Sequence, residues 1–171
     1  VSGEQAALIV EHAPFVWRVL MHLGVPRSRL EDASQEVFIV ALRDDFAGRS
    51  SFKTFLYGVC RNVARSERRA YREEREIPTE ELPETVVQPA QEGALWVKQA
   101  HHLLLGALER LDDAEREVFV LFEIAELSME EVARATRSPP SSCYSRLYAA
   151  RERVAAELRR RALAAPREAK S

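Results

Sequence analysis

The sequence predicts an all-α protein: two small helical domains joined by an acidic, flexible linker. Strand signals are almost absent, with no sustained apolar–polar alternation and no Asn-Gly or Asp-Gly hairpin. Gly and Pro are sparse, 6 and 8 in 171 residues, among long runs rich in Ala, Leu, Glu and Arg. Apolar residues recur at three- and four-residue steps in two blocks, and between them, over residues 76–92, that periodicity fades.

The first helical region runs from about Gln5 to Leu23, with Pro14 marking a break or restart and Gly24-Val25-Pro26 closing it. In the second helix Ser28 stands as N-cap with Glu31 at capping-box spacing. Leu30, Ala33, Val37 and Ala41 form its inner face, and Asp32, Gln35 and Glu36 project to the other side. A short connection, Asp44 to Arg49, leads to a long helix whose Phe52, Phe55, Leu56, Val59, Cys60 and Val63 share one side. Further along, Arg61, Arg65, Arg68 and Arg72 recur in the same way. This helix begins as a core element and ends as an arginine rod, a design suited to holding nucleic acid against a packed domain. A solvated charged face is the alternative for the rod, and core packing is the expectation for Phe52 and Phe55.

Residues 1–75 thus make the first domain. Over 76–92, Pro78, Pro83 and Pro89 alternate with Glu80, Glu81 and Glu84, the composition of a linker. Residues 93–163 make the second domain, with Leu95, Trp96, Leu103, Leu104, Ala107, Leu108 and Leu111 supplying a new core, and 164–171 are a frayed tail. Its helices are expected at Asp113 to Glu123, Ser128 to Ala135, and about Ser141 to Arg161. Ser128 with Glu131 forms a capping box, Thr136-Arg137-Ser138 a turn, and Ser141 or Ser142 a cap after Pro139-Pro140. A short helix, a three-residue turn and a longer helix carrying Tyr144, Ser145, Arg146 and Tyr148 is helix-turn-helix grammar, which a plain αα-hairpin would share.

The formal net charge of -2 divides unevenly: residues 1–75 carry 12 basic and 10 acidic side chains, residues 76–92 none and 5, residues 93–171 13 and 12. Bulk attraction to DNA is therefore weak, and specificity must come from local clusters or a larger partner. Cys60 and Cys143 are isolated thiols without C-x-x-C or zinc-ligand spacing, which fits a reducing cytoplasm, and Cys60 lies on the apolar stripe. No stretch approaches the ~20 apolar residues of a membrane span and no signal peptide opens the chain, so a soluble cytoplasmic protein is expected. There is no Gly-rich phosphate loop and no histidine–carboxylate arrangement. His101 and His102 are adjacent and so face different ways. No catalytic residue, metal, cofactor or small-molecule substrate is expected.

Taken together, the segments resemble the extracytoplasmic-function (ECF) sigma factors, bacterial promoter-recognition subunits that keep only sigma regions 2 and 4. Leu30-Glu31-Asp32-Ala33-Ser34-Gln35-Glu36-Val37-Phe38 is similar to the family's D-x-x-Q-E-x-F helix. Phe46 to Tyr57 followed by Arg61-Asn62 is similar to its promoter-melting segment, and Leu111 to Phe119 with Leu127 to Ala133 to region 4. The resemblance implies that Asp32, Gln35, Glu36 and Phe38 dock on the clamp coiled coil of core RNA polymerase. It implies that the loop of Phe46, Gly48, Arg49 and Ser50 captures a base flipped out of the −10 element, with Arg61, Asn62, Arg65, Arg68 and Arg69 holding the strand. Ser141, Ser142, Tyr144, Ser145, Arg146 and Arg151 would then meet the −35 element. This recognition helix departs from the family. Ser141, Ser142, Cys143 and Tyr144 stand where glycine, threonine, valine and lysine are common, and Ala149 where an arginine is frequent. Two positive charges are gone, which should weaken or alter −35 reading. The acidic linker resembles the segment that threads the polymerase channel later used by RNA, and an anti-sigma partner is expected from the family. A stand-alone helix-turn-helix regulator that binds operators is the runner-up, and an α-helical adaptor with no DNA role the third reading.

Overall fold

The computed structural model describes residues 3–43, 51–75 and 92–164, and its described residues contain helices and turns with no strand. The helices are α1 (Gly3–His22), α2 (Leu30–Arg43), α3 (Phe52–Arg75), α4 (Glu92–Leu108), α5 (Asp113–Phe119), α6 (Met129–Thr136) and α7 (Pro140–Ala164). Residues 44–50, 76–91 and 165–171 lie outside the described residues, so the expected connection Asp44 to Arg49 falls wholly there, while Glu92 of the expected linker opens α4 and Ala164 of the expected tail ends α7.

Helix α1 is continuous through Pro14 rather than broken there. It ends in a Schellman motif: the Val25 amide donates to the Leu20 carbonyl at 3.1 Å and the Gly24 amide to the Met21 carbonyl at 3.1 Å. Gly24 sits at φ +94°, a conformation that disfavours any residue with a Cβ. Ser28 does not cap α2. Pro26 leads a 3-10 turn, Arg27–Arg29, and α2 follows directly from Leu30. Proline's fixed φ and the i→i+3 turn supply the entry geometry for which the sequence spacing suggested a side-chain cap.

In the second half Asp112 caps α5, its carboxylate accepting from the Glu115 amide at 2.8 Å. The helix expected as far as Glu123 changes pitch at Val120–Ile124, a π-turn capped by Ala125 and followed by Glu126 at φ 56°. The Ser128–Glu131 capping box forms as read. Helix α6 stops at Arg137 in the left-handed conformation, φ 52°, with the Ser138 amide reaching the Ala133 carbonyl at 3.0 Å. Helix α7 starts at Pro140, so Ser141 and Ser142 lie in its first turn instead of capping it. Proline's missing N–H costs nothing at that position.

Val16, Val19 and Leu20 of α1, Leu30 and Val37 of α2, and Leu56, Cys60 and Val63 of α3 close the first core. In the second, Leu108, Val118, Leu121, Val132, Leu147 and Ala150 bring α4–α7 together. Each fully buried Val or Leu contributes about 1.5–3 kcal/mol, enough to fix both units. Leu95 and Trp96 do not join this core: Trp96 is 76% exposed, because α4 meets α7 through its later turns. The two units touch. Helix α3 packs on α6, and α1 on the π-turn.

Candidate polymerase and nucleic-acid interfaces

With Leu30, Ala33, Val37 and Ala41 buried at three- and four-residue steps along the inner face of α2, Asp32, Gln35 and Glu36 fall outside that stripe and turn outward. All three are exposed, and Phe38 is half-buried against the core with exposed Ile39 beside it in sequence. Two carboxylates and an amide on one face suit a basic partner helix.

The arginine rod is not solvated along its length. The Arg61 guanidinium donates to Glu117 Oε2 at 2.6 Å and that of Arg65 to Glu117 Oε1 at 2.5 Å, so the two oxygens of one carboxylate are shared between two arginines. Arg68 pairs with Asp113 at 2.5 Å, and Arg69 with Glu73 on its own helix at 3.0 Å. Asn62 is exposed. On the other side of α3, Arg29 pairs with Glu67 at 2.9 Å and also with Glu74. Phe52 and Phe55 are half-buried against the core, in keeping with packing.

Residues of α5 around Glu117 complete the contact. The Tyr57 hydroxyl, on a fully buried ring, donates to the Glu117 carbonyl at 3.4 Å, and burial raises its pKa well above the tyrosine norm. Arg116, 3% exposed, donates from its Nε to the His22 carbonyl at 2.7 Å, its guanidinium lying against Gly24. Burial, with Arg68 nearby, pushes Arg116 down to about 10. Thr54 donates to Glu131 at 3.2 Å, and the Ser128 amide holds that carboxyl below its usual range. A polar cleft of about 360 Å³ opens between α3 and α6, lined by Gly58, Arg61, Asn62, Arg134 and Arg137 among others.

On α7 the buried set is Cys143, Leu147, Ala150 and Val154, which turns Ser141, Tyr144, Ser145, Tyr148 and Arg151 outward. Ser142 is half-buried. Ser145 donates to the Ser141 carbonyl at 3.1 Å, and Arg146 to the Ser138 hydroxyl at 2.9 Å across the turn. Arg151 pairs with Glu123 at 2.5 Å, its guanidinium 5.6 Å from the Phe122 ring centre. The Cys143 thiol lies 3.5 Å from the Thr136 hydroxyl inside the turn, which explains a small sulfur-bearing residue there.

The predicted −10 residues Arg61, Asn62, Arg65, Arg68 and Arg69 share one stretch of α3, and the predicted −35 residues share the first half of α7. Phe46, Gly48, Arg49 and Ser50 lie outside the described residues. Sequence reasoning missed Tyr57, Arg116 and Glu117. Tyr57 stands three residues before Cys60, at the stripe's own spacing, which was the signal that could have placed it in the core, whereas a Glu or Arg inside a polar helix carries no local sign of burial. Among the described residues no His/Cys/Asp/Glu group is arranged to hold a metal, and no helix is long and apolar enough to cross a membrane.

Residues 8–74 match the family model for sigma-70 region 2, and residues 101–154 that for sigma-70 region 4. The chain is 30% identical over 169 positions to the RNA polymerase sigma factor NccH of Alcaligenes xylosoxydans xylosoxydans, covering 92% of this chain and 89% of that protein. It is 27% identical over 168 positions to the ECF RNA polymerase sigma-E factor of Escherichia coli (strain K12), covering 90% and 87%. Among solved structures, the fold is similar to the sigma factor RpoE in complex with the anti-sigma factor NepR from Bartonella quintana, with TM-score 0.73, 23% identity and 92% and 98% coverage. It is also similar to CnrH in complex with the cytosolic domain of CnrY, with TM-score 0.67, 22% identity and 90% and 86% coverage.

Proposed function

Because this chain belongs to the sigma-70 family, and within it to the ECF sigma factors, we propose a division of labour among its residues in promoter-specific transcription initiation. Residues 1–75 form the unit that binds core RNA polymerase and opens the −10 element, 76–92 the linker, and 93–163 the unit that reads the −35 element. Asp32, Gln35, Glu36 and Phe38 dock on the polymerase. Arg61, Asn62, Arg65, Arg68 and Arg69 hold the melted strand, with Phe46, Gly48, Arg49 and Ser50 capturing its flipped base. Ser141, Ser142, Tyr144, Ser145, Arg146 and Arg151 face the −35 major groove. The chain performs no chemistry of its own, needs no cofactor, and works where RNA polymerase does, in the cytoplasm.

The observation that carries this reading is the pairing of an exposed Asp32–Gln35–Glu36 face with an arginine row on the next helix, within the span that matches sigma region 2. An operator-binding regulator has no use for that face. Of the two structural neighbours, RpoE is a sigma factor in complex with the anti-sigma factor NepR, and CnrH is in complex with the cytosolic domain of CnrY. We extend that to a protein partner of the same kind here.

The test is assembly of the purified chain with bacterial core polymerase, then transcription from genomic fragments at low salt. Initiation at discrete sites is expected, lost on Asp32→Ala with Glu36→Ala through failure to bind core. Arg61→Ala with Arg65→Ala should leave core binding intact and abolish opening. A chain that ignores core polymerase yet shifts duplex DNA alone would overturn the reading.

A further inference from the structure

The outward face of α7 opens with aromatic rings and hydroxyls instead of cations. Tyr144 is 45% exposed and Tyr148 63% exposed. Four residues apart on one side of the helix, their side chains stand about 5–6 Å from one another. Ser141 and Ser145 share that side, and both are exposed. The Ser145 hydroxyl donates its hydrogen to the Ser141 carbonyl at 3.1 Å, which leaves its oxygen as an acceptor.

The arginines within reach on the same helix are engaged elsewhere. Arg146 lies two residues from each tyrosine and so across the helix from both; it is half-buried and donates to the Ser138 hydroxyl at 2.9 Å. Arg151 donates to Glu123 at 2.5 Å, with its guanidinium 5.6 Å from the Phe122 ring centre. A guanidinium held by a carboxylate and a ring is poorly placed for the bidentate grip on guanine O6 and N7, the commonest way a protein reads a base. What the two rings can offer the major groove is an apolar surface. Thymine presents a C5-methyl group there, and apolar side chains pack on it.

We propose that Tyr144 and Tyr148 determine −35 specificity by packing on thymine methyl groups, while Arg146 and Arg151 set where the helix lies. The proposal rests on the reading of α7 as the −35 helix, and it adds Tyr148 to the residues that meet DNA.

The surroundings of the two rings support that division. Exposed cations stand at the entry to the helix: Arg134 on α6, 3.8 Å from Glu130, and Arg137 in the turn at φ 52°. The helix before a recognition helix crosses the DNA backbone, so phosphate contacts fall to the turn and base contacts to the opening of α7. Glu152, four residues beyond Tyr148 and exposed, ends the face with a carboxylate that phosphates repel.

The test uses holoenzyme assembled from the full chain and core polymerase, on a promoter located by the initiation assay. Its −35 element is made natural, scrambled, with 2′-deoxyuridine for every thymine, and with 7-deazaguanine for every guanine. Deoxyuridine removes only the methyl group, and 7-deazaguanine only the N7 acceptor. Wild type should lose about fourfold in affinity for each methyl it touches, the worth of one apolar carbon, and should tolerate 7-deazaguanine. Tyr144→Ala with Tyr148→Ala, at two exposed positions, should bind the natural element more weakly than wild type does and should not distinguish it from the deoxyuridine form. Tyr148→Phe keeps the ring and should still distinguish them. A −35 element with no thymine in either strand overturns the proposal. So does a wild type weakened by scrambling and not by deoxyuridine, and sensitivity to 7-deazaguanine would then return base reading to the arginines with the −35 role intact. A holoenzyme indifferent to scrambling overturns the −35 reading itself, and the tyrosine assignment falls with it.

Discussion

Gly24→Ala should be the most informative single substitution at the junction, because two separable costs meet there. The first is local. A Cβ at φ +94° is strained by about 1–3 kcal/mol whatever surrounds it, and the Schellman closure of α1 pins that angle. The second depends on the other unit. The new Cβ would stand 2.6 Å from Arg116 Nη1 and 2.8 Å from its Cζ, so the guanidinium must move. Arg116 is 3% exposed and its Nε bond to the His22 carbonyl is 2.7 Å long, so moving it loses a charge-assisted hydrogen bond of about 1.5–3 kcal/mol. In an Arg116→Met background the flexible thioether gives way and the first cost alone remains. Urea unfolding followed by far-UV circular dichroism gives both values. Gly24→Ala should cost about 3–5 kcal/mol in wild type and about 1–3 kcal/mol beside Met, a coupling of about 1.5–3 kcal/mol. Equal costs in the two backgrounds, within about 0.5 kcal/mol, would refute the seating of Arg116 over the α1 turn.

Other outcomes follow from features on both sides of that junction. Ser128→Ala removes the acceptor of the Glu131 amide and half of a capping box, and should lower stability by about 1 kcal/mol in the same urea assay. Glu157 accepts from Arg160 at 2.6 Å and Arg161 at 2.7 Å, which hold its carboxyl down at about 2 against an ordinary 4.5. A depressed carboxyl stabilises the fold above its unfolded pKa and ceases to as it protonates, so stability should fall as pH drops from about 4.5 to about 2, and Glu157→Gln should flatten that limb of a melting-temperature profile. His22, buried with its Nδ1 donating to the Arg18 carbonyl, has a lowered pKa, so its native form is the neutral one. Stability should therefore decline as pH falls below the unfolded value of 6.5, and His22→Gln should remove that step. If Arg65 touches a phosphate in the open complex, Arg65→Ala should reduce the slope of log affinity against log salt for the holoenzyme by about 0.7–0.9.

Much of the fold was legible because helices announce themselves locally. The stripe from Phe52 to Val63 needed only the 3.6-residue period, and the Ser128–Glu131 box only a spacing of three. Where two local signals compete, the spacing misled: at Ser28, Pro26 and a 3-10 turn set the entry to α2, and at Ser141 Pro140 had already begun the helix. Leu95 and Trp96 show another limit. Periodicity says that a helix has an apolar side, but not that a neighbour covers it, and Trp96 stays exposed. The candidate site was legible as residues and not as a state. Glu117 stands 56 positions from Arg61 and 52 from Arg65, and no local pattern links acids to bases across such a distance. A family resemblance says which role to propose for the arginines, whereas their carboxylate partners are visible only in three dimensions.

The two cysteines fall one to each unit, Cys60 in α3 and Cys143 in α7, both fully sealed from solvent. Burial drives the Cys60 thiol far above the range in which it reacts. Alkylation under native conditions must therefore wait for the surrounding helices to part, and its rate becomes a clock for that event. One chain carries two such clocks at different positions. Peptide mapping of the labelled product would time the breathing of each half separately, with no engineered probe, and would register directly which half a bound polymerase or inhibitor quietens.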